Sequence, residues 1–453
     1  MGRFRQLIAG FRESLGFLPS LLTLAAILFA ALTIAVDLAL MGEYDPDGAP
    51  LLFSAGAEGA RGVLGAIAGG IITVTGVIFS VTIVALQLAS TQFTPRVLRN
   101  FTADRGNQLT LGVLIASFTY TLLVLRTIRA DAARGAFVPV ISVTVSLMLA
   151  LVSIAFLIYF IAHLARSLQA VVIIQRVADE TLKAVGRTFV PPGDAASRRL
   201  GPGGGHTGGR APVRARDTGY IRTIDTEAML TCAAEMEATI RIELEHGRFV
   251  LPGSVLISVW PAARLRGEYA DRLRNAVTLG WRRTIEEDPA WGVIELADIA
   301  VRALSSGVAD PTTASLCVDR LSEILVEIGR REPRYRLATR PGEHGVGLRP
   351  LTFDHIIGVA FDRIAIYGAS DVTVVRHLLD ALAAVARRVP VHRRTCIARQ
   401  IELLRQRAER VAAVEADRST IRVAAAAALG DARSETPALA PPFSGRAAPA
   451  SSP

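Results

Sequence analysis

Lysine is almost missing from this 453-residue chain: Lys183 stands alone, so the formal net charge of +9 is carried by arginine. Cysteine is nearly as scarce. Cys232, Cys317 and Cys396 are odd in number, far apart and never in a CxxC pair, which excludes a disulfide framework and a cysteine zinc site. The seven histidines are scattered, with none at ligand spacing to a cysteine, a carboxylate or a second histidine, so no metal centre or other cofactor is expected. A basic balance can signal nucleic acid, but no basic patch interleaved with aromatics accompanies it, and nucleic acid is not an expected partner. Charge is also missing from the middle of four long apolar runs. That leaves a proton relay, a voltage sensor or a charge-coupled carrier without an evident residue.

What is present is apolar. Such residues make up 51% of the chain, mean hydropathy is +0.38, and the excess lies before residue 165 while charge gathers after it. Four runs, at about 17–40, 62–90, 108–125 and 137–163, read as membrane spans, each near or above the roughly 20 residues a helix needs to cross a bilayer. The first has Pro19 in its first turn, where a missing N–H costs least. It is too long, and lacks the small-residue cleavage site, for a secretory signal, so it reads as retained. The second, Gly62 to Ser90, runs 29 residues without a charge. The third is the shortest and most polar, with Ser117, Thr119, Tyr120 and Thr121.

Orientation follows from Lys and Arg in the flanking segments, which cytoplasmic loops retain. With the N-terminus inside, Arg3, Arg5, Arg12, Arg96, Arg99, Arg105, Arg166, Arg176, Lys183 and Arg187 are internal, whereas Arg61, Arg126, Arg129 and Arg134 are external. Ten against four predicts both termini in the cytoplasm. Asp37 and Arg126 then lie at the same outer interface, either as an ion pair or with each reaching water separately.

The second span carries a pattern. Gly65, Gly69, Thr73, Gly76, Ser80, Ile83, Gln87 and Ser90 fall on one helical face, a small and polar seam, but for Ile83, on an aliphatic helix. In lipid such a face suits close helix contact, and it equally suits the wall of a water-filled path. Ser117 and Thr121 on the third span, and Ser142, Ser146 and Ser153 on the fourth, offer partner faces. After the span, Arg96, Arg99 and Arg105 sit on a short amphipathic element with Val97, Leu98 and Phe101, placed to meet lipid phosphates at the membrane surface.

The run FSVTIVALQLASTQFTPRVLRNFTADRGNQLTLGVLIASFTYTLLVLRTIR, with IELADIAVRALSSGVADPTTA at 294–314, resembles a bacterial predicted membrane protein family known as domain of unknown function 2254. The resemblance extends from the first span to about residue 415. It implies a four-span membrane region with a soluble C-terminal half, and it implies no activity. Ser306 and Ala309 depart from the family's second motif, where proline and asparagine are usual.

The reading of the fold is therefore an α-helical polytopic membrane region of four spans, residues 1–165, followed by a mainly α, partly α/β cytoplasmic domain. Residues 166–190 continue the fourth span as a helix with one apolar stripe, Leu164, Leu168, Val171, Gln175, Ala178, Leu182, Val185 and Phe189. That stripe needs a cover, from this chain's soluble domain or from a neighbouring copy. Residues 191–216 form a linker rich in glycine, proline and arginine. Its Gly201–Gly209 run lacks the strand, helix and lysine of a phosphate-binding loop. Residues 217–262 read as a small α/β subdomain, whose GRFVLPGSVL corner lacks a lysine to carry biotin or lipoate. A helical subdomain covers 263–417, with helices at Arg264–Leu279, Trp291–Leu304, Pro311–Arg330, Phe353–Ile366, Val372–Arg388 and His392–Asp417. Residues 431–453 read as a disordered tail.

Asp310 caps the helix that begins at Pro311. Beside Arg302 it forms a candidate anion site, or else a structural pair. No nucleophile with its base, paired acid and base, or metal cage stands out, so the chain reads as non-enzymatic. The first functional reading is an oligomeric channel or passive transport protein with a cytoplasmic regulatory domain. The second is a membrane-anchored scaffold or regulatory protein whose soluble half binds a partner. The lipid bilayer is the expected environment, a homo-oligomer the expected assembly, and any protein partner is unidentified.

Overall fold

The computed structural model describes residues 16–40, 56–92, 104–129, 137–167, 169–194, 209–305, 309–334, 336–337, 346–347, 349 and 351–435. The chain divides into two compact units, Met1–Val172 and Ile173–Pro453.

The first unit holds four helices long and apolar enough to cross a membrane: α1 (Phe17–Ala39), α2 (Ala57–Gln92), α3 (Arg105–Thr127) and α4 (Val140–Ser167). At about 1.5 Å per residue, α2 is about 54 Å long, well beyond the ~30 Å hydrocarbon core of a bilayer. Leu21, Leu24, Leu28 and Leu32 of α1 and Leu151, Ile154, Ile158 and Ile161 of α4 are exposed, an apolar surface that water would not tolerate and lipid does.

The helix at the centre is α3, which packs against α1, α2 and α4. It has the lowest mean hydropathy of the four, 1.8, and the largest buried share, 50% against 17–22% for the others. The two facts have one cause. Asn107, Gln108, Thr110, Ser117, Tyr120 and Thr121 are buried, and polar groups in hydrocarbon are stable only where protein satisfies them. Tyr120 shares a 2.8 Å hydrogen bond with Thr33 of α1. Gly112 sets the approach of these two helices, since a Cβ there would lie 2.6 Å from Leu22 Cδ1 and 3.2 Å from Pro19 Cα.

The second unit opens with α5 (Ala170–Thr188), so the fourth span does not run on as one unbroken helix. The apolar stripe is also rotated from the expected one: Ile173, Ile174, Val177, Ala178, Thr181, Ala184 and Val185 are buried, while Val171 and Gln175 are exposed. Its cover comes from this chain, because Thr181 faces α8 (Pro289–Ser305) at Gly292, where a Cβ would sit 1.9 Å from the Thr181 hydroxyl.

The α/β part is assembled from dispersed segments. Strands β2 (Ala211–Arg214), β4 (Thr239–Ile242) and β6 (Val255–Trp260) join the late strands β9 (Arg336–Leu337) and β10 (Val346–Gly347) in the order β2-β6-β4-β10-β9, with β10 parallel to β4. Strands β3 (Gly219–Ile224), β5 (Phe249–Val250) and β7 (Val277–Gly280) form an antiparallel sheet in the order β5-β3-β7. A third pair joins β1 (Phe189–Val190) to β8 (Glu332–Pro333). Helix α6 (Thr226–Glu235) contributes Met229, Cys232 and Ala233 to a core with Ile240, Ile257 and Val259.

Two segments correct the sequence reading here. Residues 211–214 belong to a sheet rather than to a linker, and Pro212 is tolerated because β2 is an edge strand. The helix expected over Arg264–Leu279 is α7 (Gly267–Asn275), after which Val277–Gly280 turns to strand. The run Val-Thr-Leu suits a pleated surface, and β3 is there to pair with it.

The remaining helices, α8, α9 (Pro311–Arg330), α10 (Phe353–Gly368), α11 (Val372–Ala386), α12 (Val391–Val411) and α13 (Glu415–Arg433), form a bundle. The helix expected over His392–Asp417 thus ends at Val411, and a second helix continues to Arg433, through the start of the expected tail. No breaker residue marks the change. It is the burial of Ile421, Ala425 and Ala428 against α11 and α12 that makes the second helix worthwhile. Residues 436–453 lie outside the described residues.

Candidate functional site

On α2 the residues that pack inward are Ala60, Leu64, Ala68, Ile71, Ile78, Thr82 and Ala85, all buried. At about 100° per residue the seam lies roughly 160° around the helix from them, close to the opposite face. Gly65, Gly69, Thr73, Gly76, Ser80 and Gln87 are all exposed. A Cβ added at Gly65, Gly69 or Gly76 would meet nothing within 4 Å, and Thr73 returns its hydroxyl to its own helix at Gly69 O, 2.8 Å away. The glycines of the seam therefore face open space rather than the other helices of their own chain among the described residues. Ser90 lies within α2, and its side chain is outside the description.

The expected partner faces point elsewhere. Ser117, Thr121, Ser142, Ser146 and Ser153 are buried in the helix packing. Thr121, Ser146 and Ser153 donate to carbonyls one turn back on their own helices, which corrects the expectation that they would line a path with the seam.

Asp37, from the last turn of α1, is buried and does not reach Arg126. Its carboxylate accepts from Ile141 N at 2.9 Å, Ser142 N at 3.0 Å and Ser142 Oγ at 2.6 Å. It therefore caps α4 from another helix, where a negative charge meets unsatisfied N–H groups and the positive dipole end. Arg126 is exposed, while Arg61 donates to Ile128 O at 2.9 Å. At the other end of the helices, Asp104 caps α3 by accepting from Gly106 N and Asn107 N at 2.8 and 3.3 Å. His163 of α4 holds that carboxylate at 2.8 Å and stacks on Tyr159. Arg105 follows as the exposed first residue of α3. Arg96 and Arg99 lie outside the described residues.

In the second unit, Asp310 caps α9, accepting from Thr313 N at 3.0 Å and Thr313 Oγ1 at 2.6 Å. Those bonds hold its carboxyl below the usual range. The Asp310 oxygens are thus turned to Thr313 rather than to Arg302.

A denser cluster, which the sequence reading missed, lies between β7 and α8. Arg283 donates to Asp288 Oδ2 from Nε and Nη2, at 2.9 and 2.6 Å, and stacks on Trp291 at 4.4 Å. Burial pushes the Asp288 carboxyl up, against the pull of Arg283 and His246. His246, in the turn after β4, lies 3.0 Å from Glu287. Glu287 and Asp288 are adjacent, but Arg283 and Trp291 are not conspicuous in an arginine-rich chain, and no motif points to them. Burial raises the thiols of Cys232, Cys317 and Cys396. Among the described residues, no three of His, Cys, Asp and Glu come together as metal ligands.

The family model described as "Predicted membrane protein (DUF2254)" matches residues 12–384. An uncharacterized protein of Mycobacterium bovis and one of Mycobacterium tuberculosis are each 34% identical over 398 residues, covering 86% of this chain and 76% of the relative. No solved structure matches the chain.

Proposed function

The chain belongs to the DUF2254 family of predicted membrane proteins, and on that premise we propose that its copies associate along the α2 seam to form a channel or passive transport path. The proposal places the protein in the bacterial inner membrane with both termini cytoplasmic and the second unit as gate or sensor, and it assigns no enzymatic activity.

One observation carries it. The face of α2 with three glycines, a serine and a glutamine is exposed, while an aliphatic face of the same helix does the packing. Lipid gains nothing from glycine at its surface, whereas a second helix gains close backbone contact. Ser80 and Gln87 supply the polar groups that a wetted path requires.

The mass of the detergent-purified protein is the first test, and a monomer would count against a shared seam. Flux in reconstituted vesicles is the second. Wild type should conduct an ion or small solute, and Ser80→Leu and Gln87→Leu should reduce it; no flux above that of empty vesicles for any ion removes the channel. A scaffold is the second reading, favoured by Trp281, which is 91% exposed after β7. A lone exposed tryptophan suits the centre of a protein interface. In that case cross-linking in cells recovers a stoichiometric partner through the second unit, and Trp281→Ala loses it.

A further inference from the structure

One cavity in the second unit, of about 210 Å³, is lined by Arg187, Thr188, Thr226, His246, Arg334 and Arg349, with Glu245 and Glu287 at its wall. The fold brings these residues together from separate segments. The β1–β8 pair sets Thr188 beside Arg334, whose backbone N–H donates to Thr188 O at 3.3 Å. Thr226 is the first residue of α6, whose N-terminus Asp225 already caps by accepting from Ala228 N at 3.0 Å, so at this end of the cavity it is the Thr226 hydroxyl rather than the helix dipole that is on offer.

The charges do not cancel. Glu245 is matched by Arg349 at 3.3 Å, and Glu287 by His246 at 3.0 Å when the imidazole is protonated. Arg187 spends Nη1 on a neutral acceptor, the Glu286 carbonyl at 3.2 Å. Arg334 Nε is buried with no hydrogen-bond partner among the described residues. Buried donors are seldom left so, and the planar guanidinium fork fits the oxygens of phosphate.

We propose that this cavity binds a small oxyanion, inorganic phosphate or the phosphoryl group of a small phosphomonoester, with Arg334 and Arg187 supplying the charge and Thr226 a hydroxyl. Its volume lies below the ~300–1,000 Å³ of sites for drug-sized ligands, which excludes a nucleotide. The site lies within the second unit, and its chemistry requires no path through the membrane.

The test is isothermal titration of the full chain in detergent with inorganic phosphate, at ionic strength held constant with chloride. The expected result is saturable binding at one site per chain, weakened tenfold or more by Arg334→Gln and by Arg187→Gln. Arg334→Lys, which keeps the charge but loses the fork, should fall between, and Arg320→Gln on the far exposed face of α9 should bind as wild type does. Arg187 is exposed, so its variant reports even where Arg334→Gln fails to fold. Absence of saturable binding overturns the proposal, as does binding by Arg187→Gln and Arg334→Gln that equals that of wild type. Binding of phosphatidic acid in nanodiscs without binding of inorganic phosphate overturns the soluble-anion assignment. Neither flux nor detergent mass enters the readout, so this proposal and the channel can fail separately.

Discussion

Replacing Asp37 tests the architecture of the membrane unit at one atom group. In Asp37→Ala, three donors lose their acceptor at once: the N–H groups of Ile141 and Ser142 and the Ser142 hydroxyl. Removal of a helix-capping side chain costs about 0.5–2 kcal/mol, and hydrogen bonds to a charged group are worth roughly 1.5–3 kcal/mol each but do not add fully. A loss of about 3 kcal/mol is expected. For a unit of this size that corresponds to roughly 6–12 °C in thermal midpoint, readable by scanning fluorimetry of detergent-purified protein. Ser142→Ala removes only the hydroxyl and should cost about 1 kcal/mol. On the Asp37→Ala background it should cost less, because its acceptor is already gone. Arg126→Ala should leave the midpoint unchanged. The reasoning is refuted if Asp37→Ala melts with wild type, or if Asp37→Arg is rescued by Arg126→Asp, since rescue would place the stabilisation in an ion pair across the interface.

Gly292→Val should destabilise the second unit by about 1–3 kcal/mol through overpacking. Thr181→Ala, which removes the hydroxyl that the new Cβ would strike, should recover part of the loss in a double-mutant cycle. Glu402 is held down to about 2 by hydrogen bonds from Arg405 and then Gln406. A carboxyl whose folded value is depressed stabilises above its unfolded range and loses that contribution as pH falls. The difference between wild type and Glu402→Gln should therefore be about 0.5–1 kcal/mol at pH 7, discounted for partial exposure, and should vanish as pH falls from about 4.5 to about 2. A difference that grows on acidification would contradict the pairing. Cys232 and Cys317 are buried, with thiols raised by burial, so maleimide should label them only as the second unit unfolds, whereas Cys396 should react earlier. Prompt labelling of Cys317 in native protein would show that α9 is not packed as described.

Much of this was readable from residue order because the physics is local. A run without charge from Gly62 to Ser90 demands lipid, Asp310 before Pro311 demands a helix start, and both needs are met within a few residues of chain. The five-stranded sheet was not readable, because β9 and β10 are two-residue strands that begin 76 and 86 residues after the end of β6, and so short a strand has no pattern of its own. The α12–α13 break was hidden for a related reason, since alanines around residue 412 suit a helix on either side and packing alone ends it.

The sequence by itself determined that four helices are long and apolar enough to cross a membrane, which of them is most polar, and that small and polar residues share one face of the second. Hydropathy and helical period suffice for that. Only the tertiary structure decided that the polar third helix is the centre of the membrane unit, that Asp37 serves the N-terminus of α4 rather than Arg126, and that the glycines of the α2 seam are left uncovered. Periodicity establishes which residues share a face. What that face meets depends on where three other helices have already packed.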